Sequence, residues 1–392
     1  MRAALVFTGG AGCEVTNEKA IVVGAGIVGL ALARALALRG HAVTVLERHQ
    51  RAVGASLRNF GSVWPIGVAD HVYERALRSR SIWLELLRAM RIWHAPCGSL
   101  HVARAGDEMA VLEAYVGRNR GARPCRMMSA AAALARVPAL NPAGLHGGLL
   151  CEDEVLLDPR EALRALPACL AERHGVQFRW GTAVNAVDSG VAHAGRERFQ
   201  AERIYICGGA DFEWLYPEVC AAAPLTRCKL QMMRLTPEVP GFRLGCSLAA
   251  GLSLVHYASF AALPEVRLLR ARLQREHAPL LEAGIHMLVT QNGQGELAIG
   301  DSHAYGQTLD PFDECAINEK ILGYTRQVLN LPPARLTQTW HGIYAKLTDG
   351  GTEFVRSAAP GVTLVNGLGG LGMTLAFGLA EELVEDRYRP CG

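Results

Sequence analysis

"AIVVGAGIVGLALARALALRGHAVTVLE" runs from Ala20 to Glu47, and its reading decides the fold. Ile21, Val22 and Val23 are a short β-branched run of the kind that forms a buried parallel strand. Gly24, Gly26 and Gly29 follow as G-x-G-x-x-G. Gly24 permits the tight turn, Gly26 lets the backbone approach a pyrophosphate, and Gly29 allows close helix–strand packing. The spacing predicts a helix from about Ile27 to Arg39, opened by Ile27 and Val28, with its first N–H groups aimed at the anion. Gly40 is a natural stop. A second strand over 42–46 ends in Glu47, placed to accept from ribose hydroxyls, and Arg48 follows it. An ordinary glycine turn leaves Glu47 unexplained; strand, turn, helix and terminal acid together predict a dinucleotide-binding unit.

Three features favour FAD over NAD. The first is "GASLRNFGSVWPIG" (Gly54–Gly67), which follows the second strand directly. It places Ser56, Arg58, Asn59 and Trp64 on a glycine-broken loop that is expected to lie along the cofactor. The second is "RIYICGGAD" (Arg203–Asp211), a late strand ending in Gly208-Gly209. The third is "VTLVNGLGGLGMTLAFGLAEELV" (Val362–Val384), a strand, then Gly367, Gly369, Gly370 and Gly372, then a helix opened by Met373 and Thr374. A second glycine-rich helix N-terminus suits a long two-headed cofactor. One dipole serves the pyrophosphate and the other the reduced flavin edge. Val184, beyond the strand expected over 176–180, completes the set expected to touch the cofactor.

The chain has 392 residues, more than one core usually holds, so two domains or an interleaved pair are expected. Half the residues are hydrophobic and 20% charged, which describes a packed globular protein. A net charge of +3 with scattered arginines gives no basic stripe, so a nucleic-acid partner is not indicated. Eleven cysteines with no CxxC pair read as reduced, mostly buried thiols in the cytoplasm. No His/Cys spacing of the zinc type is present, so no metal is expected. The apolar stretch 20–38 resembles a membrane span, but Arg34 and its three glycines break it into strand, turn and helix. Residues 1–19 lack a secretory core and are taken as an N-terminal extension.

The expected fold class is α/β, a Rossmann-like FAD-binding domain interleaved with an α+β substrate domain that contains an antiparallel sheet. Residues 20–68, 151–218 and 342–392 are assigned to the first, 69–150 and 219–341 to the second. "YERALRSRSIWLELLRAM" (Tyr73–Met90) has helical periodicity. Asp158 with Pro159 predicts a helix start, and Gly175 its end. "KLQMMRL", "LSLVHYA", "GIHMLVTQN" and "GELAIGDS" read as strands, with "GQG" (Gly293–Gly295) as a hairpin turn.

Together these residues resemble the FAD-dependent amine and amino-acid oxidoreductases of the D-amino-acid oxidase superfamily, which includes glycine oxidase and monomeric sarcosine oxidase. The resemblance covers nearly the whole chain after residue 19. "GASLRNFGSVWPIG", "CKLQMMRL" and "WHGIYAKLTDG" are similar to a clade linked with bacterial phosphonate breakdown. That likeness implies oxidation of an aminoalkylphosphonate, notably N-methylated 2-aminoethylphosphonate. Glycine- and sarcosine-type members commonly carry a carboxylate-binding arginine in the segment matching Trp340–Gly350. Here Tyr344 stands at that place, so the bidentate fork is missing. The segment also lacks the cysteine of covalent flavin attachment, which implies non-covalent FAD.

Candidate substrate-side residues are Tyr344, Lys346, Lys229, His303, Tyr305 and Trp64. Tyr344 and Lys346 are expected to hold an anionic substrate. Lys229 either positions it, assists oxygen reduction, or is a solvated strand-end lysine. His303 and Tyr305 share a face just after a strand. His256 and Tyr257, as strand neighbours, are expected to face opposite sides. Trp64 either walls the amine pocket or fills a core. The partners implied are a small amine and oxygen or another electron acceptor, with the oligomeric state left open. Rival readings are a glycine-, sarcosine- or D-amino-acid-type oxidase or dehydrogenase, a tRNA-modifying flavoprotein, and a non-catalytic FAD-binding module.

Overall fold

The computed structural model describes residues 18–119 and 121–389. One sheet has six strands in the spatial order Phe354–Ala359, Val362–Asn366, Arg203–Ile206, Lys19–Val23, Ala42–Glu47 and Gln177–Trp180. All neighbours are parallel except Phe354–Ala359, which pairs antiparallel with Val362–Asn366. Parallel strands are covered on both faces, and the side chains sort accordingly. Ala20, Val22, Val43, Val45 and Tyr205 join a core built with the helices Ile27–Leu38, Tyr73–Met90, Pro159–His174 and Gly372–Val384. Ile21, Leu46, Ile204, Ile206 and Leu364 point the other way, into a smaller core with Ala192 and Phe212. Burial on both sides explains why these strands read as unbroken apolar runs.

The second body is a nine-stranded, mostly antiparallel sheet. Its centre is the strand Leu225–Pro237, which pairs along its full length with Ala334–Leu347. On its other side it meets Leu297–Gly300 and Ala304–Gly306. Ser247–Ala249 and Ser99–Ala103 form a parallel pair within it. Gly293–Gly295 lies in the turn joining Leu288–Gln291 to Leu297–Gly300, closed by Asn292 N–H to Glu296 O. Asp158 accepts from the N–H groups of Arg160 and Glu161, Pro159 opens the helix, and Gly175 closes it at φ +68°.

Two expectations are corrected. "LSLVHYA" is not a strand: Gly251–Leu254 and Ala258–Ala261 are short helices, with His256 and Tyr257 in the bend between them. A short apolar run fits a buried helical turn as well as a strand, and periodicity does not separate them. The cysteines are not all free thiols either, since Cys125 and Cys151 are joined as a disulfide. They are direct register partners on adjacent antiparallel strands, so pairing needed no CxxC spacing. Among the described residues, no helix is long and apolar enough to cross a membrane.

Candidate active site

The first glycine turn shows three different needs. Gly24 has φ +102°, and a Cβ there would sit 2.5 Å from Cys207 O. A Cβ on Gly29 would sit 1.9 Å from Gly24 O, so the helix lies directly on the strand. Gly26 is different: its φ is an ordinary −70°, and the nearest atom to an added Cβ is Ser56 Oγ at 3.3 Å. Nothing within the chain demands glycine there, which fits a site kept open for a phosphate group. Ser56 Oγ accepts from the Ile27 N–H at 2.9 Å and so secures the start of the helix that Val28 continues. The Glu47 carboxylate is buried and accepts from Ala25 N–H at 2.8 Å and His49 N–H at 3.0 Å.

The other chain end closes on this turn. Gly367 and Gly369 adopt φ +72° and +57°. A Cβ on Gly372 would touch Ile27 Cγ2 at 3.3 Å, so the two glycine-rich helix starts abut. Asn366 Nδ2 donates to Gly209 O at 2.9 Å, tying in the turn at Gly208 and Gly209. Arg48 reaches across to pair with Asp211. Val184 is buried and its carbonyl accepts from Trp214 Nε1 at 3.1 Å. Two abutting helix N-termini beside open glycine surface fit one extended dinucleotide.

The opening loop largely holds itself. Asn59 Nδ2 donates to Ser56 O at 2.9 Å, and its Oδ1 accepts from Gly61 N–H at 2.8 Å. Arg58 Nη1 donates to His341 O at 3.2 Å. The backbone N–H of Trp64 donates to Thr374 Oγ1 at 2.9 Å, while its indole Nε1 is buried without a partner. Met373 packs in the other core, with Trp83, whose Nε1 donates to the Met373 carbonyl.

A belt of side chains runs from the second glycine loop round to Trp64. A Cβ on Gly370 would lie 3.5 Å from the Tyr344 hydroxyl. Tyr344 and Tyr305 flank Cys228 on the two strands that pair with Leu225–Pro237 at that register. Lys346 Nζ donates to the Tyr305 hydroxyl at 3.3 Å. The Tyr305 ring lies 6.2 Å from His303, His303 lies 4.5 Å from His256, and His256 lies 4.1 Å from His286. Tyr257 touches both His256 and His286 and stands 5.8 Å from Trp64. Trp64 then returns to Thr374, four residues from Gly370. The circuit begins and ends on the glycine-rich loop and helix start.

Electrostatics leave the belt sparsely charged. Burial pushes His303 down to about 4, with repulsion from His286 and Lys346 adding to it and Asp301 opposing it. Burial, then His286 and His303, hold His256 well below the ordinary value. Burial works against the Asp301 carboxylate, but His286 and His303 outweigh it and keep it ionised; Asp301 Oδ1 lies 3.0 Å from His286 Nε2. Burial raises the Tyr344 and Tyr257 phenols well above the ordinary value and takes Cys228 to about 11. At neutral pH His256 and His303 are therefore neutral, and the phenols are hydrogen-bond donors.

Lys229 stands apart from this belt. It is buried in mid-strand, donates to Asp310 O at 2.8 Å and to Phe312 O, and pairs with Asp313 at 2.9 Å. It clamps the loop 310–313 and is neither solvated nor at a strand end. His256 and Tyr257 do not face opposite sides, because they share no strand. Sequence reasoning passed over His286 and Asp301 altogether. Spacings of 30 and 17 residues between the three histidines carry no local signal, and only the fold brings their ring nitrogens within 4.8 Å of one another.

The whole architecture resembles solved flavoenzymes. Glycine oxidase from Geobacillus kaustophilus superposes with a TM-score of 0.76 at 21% identity, covering 95% of this chain and 96% of that one. L-proline dehydrogenase from P. horikoshii gives 0.76 at 18%, covering 94% and 92%. At this identity the likeness concerns the fold. The tRNA 5-methylaminomethyl-2-thiouridine biosynthesis bifunctional protein MnmC of Burkholderia orbicola is 33% identical over 145 residues, 35% of this chain. That match spans only 22% of the MnmC protein. A family model described as DAO, FAD dependent oxidoreductase, matches residues 19–386, and with the paired glycine cradles this shows that the chain belongs to the DAO family of FAD-dependent oxidoreductases.

Proposed function

We propose that the chain oxidises the amine of a small aminoalkylphosphonate, with N-methyl-2-aminoethylphosphonate the best-fitting member. One observation carries this reading. The belt facing the second glycine loop offers an ammonium, three imidazoles and three phenols, and none of its members is an arginine. Arg58 is held by His341 O, and Arg227 by Glu213 and Ala210 O. A planar carboxylate is best gripped by a guanidinium fork, whereas a tetrahedral dianion accepts from several separate donors.

When bound, FAD supplies the two-electron acceptor. Gly24–Gly29, Ser56 and Glu47 hold its nucleotide end, and Gly367–Gly372 its ring end. Lys346, Tyr305 and Tyr344 take the substrate's anionic head, which fixes the distance from that head to the amine carbon. Trp64 closes the belt beside Thr374 and excludes water. Overall, the amine, water and oxygen give phosphonoacetaldehyde, methylamine and hydrogen peroxide.

The test is which small amines bleach the flavin's visible absorbance without air. Aminophosphonates are expected to do so faster than glycine, sarcosine or D-alanine. The reverse order would favour the amino-acid reading. Lys346→Ala is expected to raise KM for the phosphonate about tenfold or more, with Tyr344→Phe smaller in effect. An unchanged KM in both variants would remove these residues from the anion site. The flavin is expected to leave the protein on acid precipitation, since no cysteine stands in Trp340–Gly350. A second reading follows from the MnmC likeness, namely a secondary amine carried on a tRNA nucleoside. Bleaching by such a nucleoside, with none by aminophosphonates, would favour it.

A further inference from the structure

We propose that His256, His286 and His303 form the seat of the substrate's phosphonate, and that the dianion enters it together with one proton. The inference rests on the aminophosphonate reading and deepens it.

Three features of the cluster carry the argument. First, the rings are held in place from behind. His303 Nδ1 donates to Gly284 O at 2.9 Å, and its Nε2 faces Asp301 Oδ2 at 3.9 Å. His286 Nε2 lies 3.0 Å from Asp301, which leaves its Nδ1. Second, His286 Nδ1 is buried and has no partner, although the residue is only 3% exposed. An unpaired buried donor or acceptor is costly, and such groups point to a missing occupant. Third, the cluster continues the belt, with the Tyr305 ring 6.2 Å from His303 and Lys346 donating to the Tyr305 hydroxyl at 3.3 Å.

The charges facing the histidines set the sign. Lys346 and the histidines themselves repel a proton on His256 and His303, and burial does the same. Asp301 attracts one. Tyr257, Tyr305, Tyr344 and Cys228 are neutral around them, each raised by burial. In the empty site the repulsion wins. A bound dianion adds two negative charges against the same rings, and an opposite charge within a few ångströms raises a base's pKa. Protonation then supplies the cation that a permanent arginine supplies elsewhere, without the cost of burying an unpaired charge in the empty site.

The experiment uses the FAD-loaded enzyme and propylphosphonate, which lacks an amine to oxidise. Binding is measured calorimetrically, at a pH where the ligand is a dianion, in two buffers of different ionisation heat. About one proton taken up per site is expected. His286→Asn and His303→Asn are expected to lower that number towards zero. They are also expected to raise KM for the aminophosphonate about tenfold or more, with a smaller loss in kcat. Binding with no proton uptake by the unaltered enzyme overturns the proposal, whatever the variants do. Zinc retained at one per chain through dialysis against a chelator also overturns it, since the histidines would then be metal ligands. If propylphosphonate binds with proton uptake while no aminophosphonate bleaches the flavin, the seat stands and the proposed reaction fails. Bleaching without proton uptake separates the two the other way.

Discussion

Gly26→Ala is expected to give a folded protein that purifies without its flavin, and Gly29→Ala a chain that does not fold. The two glycines lie three residues apart in one motif, and the structure assigns them opposite reasons. A methyl on Gly29 meets Gly24 O at 1.9 Å and Val22 Cγ1 at 3.1 Å. The first of these is backbone, so no rotamer change relieves it. The helix Ile27–Leu38 would have to leave the strand Lys19–Val23, opening the core that Leu30, Leu32 and Leu36 fill. Overpacking of this kind readily exceeds the 1–3 kcal/mol of a tolerable core insertion, against a total stability of about 5–15 kcal/mol.

A methyl on Gly26 meets only Ser56 Oγ, at 3.3 Å, and the backbone there is already comfortable for alanine. Folding should be nearly unaffected. The methyl instead occupies the space through which the pyrophosphate approaches the helix N-terminus, and flavin affinity should fall by about two orders of magnitude or more. Gly323→Ala in the exposed part of the helix Cys315–Val328 is the control. Its Cβ meets nothing within 4 Å, and helix propensity predicts a gain of about 0.5–1 kcal/mol. Thermal melts with and without added FAD, together with visible absorbance, separate the three cases. Gly26→Ala retaining full flavin would mean that the open space serves something else.

What could be read in advance follows from how local each rule is. The turn at 24–29, the helix Tyr73–Met90 and the Asp158–Gly175 helix limits depend on neighbours within a few residues, so sequence spacing carries them. The site's far wall does not have that property. His256, His286 and His303 meet because a helical bend, a strand approach and a strand exit converge on one point. Lys229 read as a substrate-side cation or a solvated lysine because its partners, the carbonyls of Asp310 and Phe312, lie some eighty positions further along. Asn59 looked like a ligand-binding amide, yet its hydrogen bonds stay within residues 55–61. Cys125 and Cys151 needed the register of two strands before they could be matched. Glycines in turns are thus legible because their reason is steric and local. Polar clusters are not, because their reason is tertiary.

Arg75→Met is expected to cost about 3–5 kcal/mol, a fall in Tm of roughly 5 °C, and to loosen the flavin as well. Arg75 is 7% exposed and bolts three parts of the chain together. Its Nε and Nη2 donate to Glu382 on the C-terminal helix at 3.0 and 2.8 Å, and its Nη1 lies 2.9 Å from Glu353. Methionine fills the volume of the stem but leaves two carboxylates, one of them buried, without a cation. The charges themselves are what cost: replacing Arg75, Glu353 and Glu382 together by apolar residues should be less damaging than Arg75→Met alone. A triple variant less stable than Arg75→Met alone, by thermal melts, would show that packing and not charge is responsible. The flavin enters because the anchored helix, Gly372–Val384, begins at the second glycine loop, and a Cβ on its Gly378 would strike Arg75 O at 2.4 Å. With backbones that close, a shift of one helix moves the other, and the loop that should carry the ring end of FAD moves with it.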